Sequence, residues 1–207
     1  PLLALIQLAT ACQPGQEAGA RIELSELTVK EIHAAYRNGT YTAQELVQAY
    51  ITRIKEYDEK INAITYLNPE ALSVAESLDE EFRETGKMRP LHGIPLIVKD
   101  NINTAGLPTT AGSLALEHYI PDEDAFIIQK LVEAGAIVLA RGNVPEFAMA
   151  AETENPRYGR SANPLAPERT CGGSSGGDAA LVASGSVAAG LGLRPPAQAD
   201  GIALPEL

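Results

Sequence analysis

The chain has 207 residues, enough for one sizeable hydrophobic core. It carries 16 Lys and Arg against 27 Asp and Glu, a net charge of −11, and it has no Trp. It therefore offers neither the basic face that nucleic-acid phosphates need nor a platform for base stacking, and no nucleic-acid partner is expected. The two cysteines, Cys12 and Cys171, give no disulfide framework. Together with the scattered His33, His92 and His118 they show no ligand spacing, so neither a metal nor any other cofactor is expected.

The run from Leu2 to Cys12 is apolar and ends in small residues. It is too short to span a bilayer but fits the apolar region and cleavage zone of a secretory signal peptide. Ala9-Thr10-Ala11-Cys12 resembles a bacterial lipobox, with Ala9 where Leu is usual. The expectation is an exported bacterial envelope protein, lipid-anchored at Cys12, with the membrane touched only through that anchor. The alternative is a buried N-terminal helix in a cytoplasmic protein. Residues 13–26 are polar and read as a tether.

Start signals for helices follow. Thr28-Val29-Lys30-Glu31 and Thr42-Ala43-Gln44-Glu45 are capping boxes. The first helix stops near Asn38-Gly39, and the second places Leu46, Ala49, Tyr50, Ile54 and Tyr57 near one face. Ile61 to Tyr66 reads as a strand, and Pro69 suits the first turn of a helix ended by Gly86. Leu96-Ile97-Val98 reads as a short buried strand and Thr109 to Ser113 as a turn-rich loop. Asp124 to Glu133 reads as a helix and Ala136 to Ala140 as another buried strand. Short apolar strands alternating with helices predict an α/β protein with a mixed β-sheet covered by helices, built as one domain.

Two stretches carry chemistry. In His92-Gly93-Ile94-Pro95-Leu96-Ile97-Val98-Lys99-Asp100-Asn101 the apolar strand delivers Lys99 at its end. A desolvated lysine loses its proton more easily and can act as a general base to a serine, although a surface lysine at a strand end is commoner. In Cys171-Gly172-Gly173-Ser174-Ser175-Gly176-Gly177 four glycines flank two serines at the mouth of a small-residue helix, with Asp178 next. Such a turn can gather hydroxyls and helix-start N–H groups on one point, or it can be a flexible linker. No Lys follows the second glycine pair, so it is not a P-loop.

These two blocks resemble the signature blocks of the amidase signature family of Ser-Ser-Lys amidohydrolases. Arg141 to Met149 and Asn163-Pro164 fall where that family has similar segments, and the likeness runs from about Leu27 to Gly192. It implies an amidase signature fold, incomplete at the C-terminus, acting on a small-molecule linear amide. By motif position Lys99 is implied as the unprotonated base and Ser174 as the serine after a cis peptide bond from Gly173, with Ser175 in support. The resemblance also implies that the backbone around Ala148, Met149 and Ala150 lines the acyl pocket.

The family's nucleophilic serine sits in a second Gly-Gly-Ser turn, which counting places near Gln198. No Ser, Thr or Cys follows Ser186 here, and Pro195-Pro196 would break a tight turn. The organisation expected is a signal peptide or lipobox at 1–12, a tether at 13–26, the N-terminal part of an amidase domain at 27–192, and a divergent tail at 193–207, as in an interrupted gene. Three readings follow: an amidase fragment inactive as written, the amidase subunit of a tRNA-dependent amidotransferase, and a non-catalytic remnant.

Overall fold

The computed structural model describes residues 22–192. Helix α1 spans Val29–Asn38 and α2 spans Ala43–Ile61, and both open on the expected capping boxes. In each, the threonine hydroxyl accepts from the backbone N–H three residues on, while the glutamate there reaches back to the threonine N–H. Gly39, in the left-handed region, ends α1. The helix α2 buries Leu46, Val47, Tyr50, Ile51 and Ile54 as one stripe. Each fully buried aliphatic side chain in such a stripe contributes about 1.5–3 kcal/mol. Tyr57 lies beyond the stripe and is exposed.

Strand β1 is Ile64–Leu67, later than the predicted Ile61 to Tyr66. The difference lies in α2, which keeps Ile61 and ends on Asn62 in the left-handed conformation. Helix α3, Ala71–Thr85, starts beyond Pro69 and closes on Gly86 as expected. Strand β2 is Pro95–Lys99, helix α4 is Phe126–Glu133 and strand β3 is Ile137–Gly142. The segment between β3 and the next helix holds two small antiparallel ladders that the sequence pattern does not announce. One pairs β4 (Glu154–Asn155) with β5 (Gly159–Arg160), and the other pairs β6 (Ala162–Asn163) with β7 (Ala166–Thr170). Helix α5, Gly176–Ala183, and strand β8, Ala189–Leu191, complete the described chain.

The main sheet has the order β1-β3-β2-β8. Strand β1 is antiparallel to β3, whereas β3, β2 and β8 are parallel, so the sheet is mixed. Its central strands β2 and β3 are buried along their whole length. The larger core packs α1, α2 and α3 with Ile97, Ile137 and Leu139, and a smaller cluster sets Val98 and Val138 against Ile128 of α4. Both faces are thus covered, as parallel strands require.

Of the expected tether, residues 22–26 are described, and Leu24 is buried in the larger core. The packed domain therefore begins before residue 27. Cys12, the apolar run before it, and the tail 193–207 lie outside the described residues.

Candidate active site

Strand β2 ends on Lys99 between β3 and β8, and the lysine is wholly buried. The turn before α5 is brought over this strand end. Its Gly173–Ser174 peptide bond is cis, and both serines are buried. The Lys99 Nζ and Ser174 Oγ atoms lie 2.5 Å apart, in hydrogen-bond contact, although 75 positions separate them in sequence. Lys99, Ser174, Gly173 and Ser175 therefore form one constellation.

Neighbouring segments hold the turn by its backbone. Thr153 accepts from Gly176 N–H at 3.1 Å and donates from its own hydroxyl to the Gly172 carbonyl at 2.8 Å. The Gly177 N–H donates to the carbonyl of Asn143, just beyond β3. Asn143 is itself buried: its amide donates to Ser161 Oγ at 2.9 Å, and its oxygen accepts from Asn155 at 2.7 Å. Two glycines here are a matter of space. A Cβ at Gly177 would lie 2.3 Å from Asn143 N, and one at Gly176 would lie 2.2 Å from Thr153 Oγ1.

A charged cluster backs the lysine. Arg141, on β3, is fully buried and donates to the Ile102 carbonyl and to Thr104 Oγ1, each at 2.6 Å, fastening the segment that leaves β2. Its Nε lies 3.7 Å from Asp100 Oδ1. Asp100 also accepts from the Thr110 hydroxyl at 2.5 Å and from the Thr110 N–H. Asp178, in the first turn of α5, is buried as well, with neither carboxylate oxygen hydrogen-bonded among the described residues.

Electrostatics follow from burial. Desolvation lowers the Lys99 pKa to about 8, and the Asp178 charge opposes that fall. Its neutral fraction near pH 7 is then roughly two orders of magnitude above that of an ordinary lysine. Desolvation raises Asp178 to about 8, against the pull of Lys99 and Arg141.

The segment expected to line an acyl pocket is a short 3-10 turn, Glu146–Ala148, with Phe147 and Ala148 at positive φ. Ala148 is buried, while Met149 and Ala150 are exposed, Met149 by 84%. The continuation of this loop reaches the serine turn, because a Cβ on Gly173 would lie 3.1 Å from the Ala151 carbonyl carbon. Among the described residues no group of three or more His, Cys, Asp or Glu is placed to hold a metal ion.

The sequence pattern does not single out Thr153 or Asn143, nor the role of Asp178. A single carboxylate beside an Ala-Ala-Leu-Val run is the available signal for Asp178, since burial of a charge in such a helix demands a partner. Asn143 lies within the family-like segment Arg141 to Met149, but no spacing there assigns it a role, and nothing in the pattern around Thr153 marks it.

The fold with its buried lysine facing a serine on a glycine turn is that of the Amidase family, to which the chain belongs: it matches the family over residues 45–193. It is 44% identical over 187 residues to a glutamyl-tRNA(Gln) amidotransferase subunit of Chloroflexus aurantiacus, covering 87% of this chain and 38% of the relative. Among solved structures it is similar to the peptide amidase of Stenotrophomonas maltophilia, with 38% identity and a TM-score of 0.74, covering 78% of this chain and 35% of that one. An amidase family protein from Bacillus anthracis is similar at 35% identity and a TM-score of 0.76, covering 82% and 35%. The chain thus spans less than two fifths of the length of these relatives.

Proposed function

We propose that this chain is the N-terminal part of an amidohydrolase that cleaves carboxamide C–N bonds by a Ser-Ser-Lys relay. The observation that carries this reading is the buried 2.5 Å contact between Lys99 Nζ and Ser174 Oγ. In the relay neutral Lys99 accepts the Ser174 proton. Ser174 in turn accepts the proton of a nucleophilic serine as that oxygen attacks the amide carbon. Ser175 and Gly173 shape the turn, and the backbone of Ala148, Met149 and Ala150 faces the acyl group.

The 207-residue chain has no hydroxyl or thiol side chain after Ser186 to act as the attacker, and we expect it not to turn over amides. Fusing a Gly-Gly-Ser-bearing continuation from a related amidase after Gly192 should give hydrolysis of a simple amide that depends on the added serine. In that protein Lys99→Ala should cost several orders of magnitude in kcat/KM. A folded fusion inert toward a panel of linear amides would overturn the reading. Hydrolysis by the unfused chain, lost in Lys99→Ala and Ser174→Ala, would overturn the expected inactivity.

A second reading is favoured by the similarity to the glutamyl-tRNA(Gln) amidotransferase relative: the same chemistry would release ammonia from a glutamine amide within a multi-subunit enzyme. Complementation of a strain deficient in tRNA amidation by the fused chain separates the two. For localisation, the run Leu2 to Cys12 supports export with lipid attachment at Cys12. Globomycin-sensitive processing and membrane fractionation test it, and a soluble product retaining residues 1–11 would sink it.

A further inference from the structure

Asp178 is a buried carboxylate for which the relay has no use. It sits in the first turn of α5, four residues after Ser174, and it is 3% exposed. Neither carboxylate oxygen has a hydrogen-bond partner among the described residues. Its position is dictated closely. A Cβ on Gly142 would fall 2.0 Å from Asp178 Oδ1, and a Cβ on Gly190 would fall 3.4 Å from the Asp178 Cβ. Gly142 is the partner of Lys99 across the β2–β3 register, and Gly190 is the partner of Ile97 across β2–β8. Two strands flanking the lysine strand are therefore bare of side chains where the carboxylate lies. The carboxylate fills the space above the end of β2, where Lys99 emerges.

Among the described residues the charged groups facing it are few. Strand β2 contributes Lys99, the residue after it is Asp100, and β3 contributes Arg141. Strand β8, Ala-Gly-Leu, contributes none. Arg141 is already committed to Ile102, Thr104 and Thr109, with Asp100 beside its Nε. Lys99 makes the contact with Ser174.

We propose that Asp178 is a positioning residue for Lys99, stabilising the ammonium that forms when the lysine accepts the serine proton. This deepens the relay reading and rests on it for its catalytic meaning. In the step, the Ser174 O–H bond breaks and an Nζ–H bond forms. The resulting positive charge in this buried site is then offset by the ionised form of Asp178. The direction of the Asp178 influence on Lys99, upward against desolvation, agrees with this.

The test reads the lysine directly. The 207-residue chain is prepared with 13Cε-lysine, Lys99 is assigned by its loss in Lys99→Met, and its signal is titrated. In Asp178→Asn the Lys99 midpoint should fall by about one pH unit or more, a tenfold or greater loss of proton affinity. Asp178→Glu should recover part of it. A folded Asp178→Asn chain with an unchanged midpoint would overturn the proposal. Should that variant fail to fold, the Asp178 carboxyl signal is followed in the parent and in Lys99→Met. Its midpoint should rise when the lysine is removed, and an unmoved midpoint is again fatal. None of these readouts needs amide hydrolysis. Coupled titrations in a chain whose serine-bearing fusion is inert would sink the amidase reading alone, and an active fusion with uncoupled titrations would sink this one alone.

Discussion

A lysine that is to accept a proton must first lose one. Burial lowers the Lys99 pKa to about 8, so its base form grows as pH rises toward that value and is lost as pH falls below it. In a serine-bearing fusion, kcat/KM for amide hydrolysis should climb with pH and level off above about 8. A profile flat across neutrality would contradict it. Lys99→Arg should abolish the activity at every pH, because guanidinium keeps its proton. Glycines make a second prediction at this scale. A Cβ at Gly177 meets backbone atoms of Asn143 and Ala63 that cannot step aside, so Gly177→Ala should cost about 1–3 kcal/mol by urea denaturation. Gly106, at φ +72 with nothing within 4 Å of an added Cβ, should cost only the left-handed strain, about 1 kcal/mol.

Elements are readable where a local rule decides them. Both threonine capping boxes start their helices as expected, because the signal lies within four residues. Thr42→Ala should cost about 1 kcal/mol by urea denaturation. Asp79 should matter more. From α3 its carboxylate accepts the N–H groups of Ala43 and Gln44, capping α2 across a tertiary contact. Asp79→Ala removes both charge-assisted bonds, and we expect a loss of about 2 kcal/mol in the same assay. No spacing rule announces that cap, since its partners are 36 and 35 residues away. The same limit hides the roles of Thr153 and Asn143, which pin the serine turn from loops with no periodicity of their own. It also hides the short ladders between Glu154 and Thr170, which carry no alternating pattern. Lys99 and Ser174 are legible because each sits in a long ordered motif, but their meeting at 2.5 Å depends on α5 packing over the sheet.

At the scale of the whole molecule, charge bears on the choice between free amidase and amidotransferase component. With 27 acidic against 16 basic side chains the chain should show no binding to tRNA in fluorescence anisotropy at physiological salt. Salt-sensitive binding in that assay would refute this. In a multi-subunit enzyme the tRNA contacts would then fall to another polypeptide, and this chain would contribute chemistry alone.

The parallel pairing of β8 with β2 has a consequence for engineering. Val98 stands opposite Leu191, so the residue after β8 emerges level with Lys99. The sheet thus acts as a port: any segment spliced on after Gly192 is delivered beside Lys99 and Ser174 without a linker. Exchangeable cassettes carrying different nucleophile turns and pocket walls could be grafted there, with residues 22–192 kept as a common chassis.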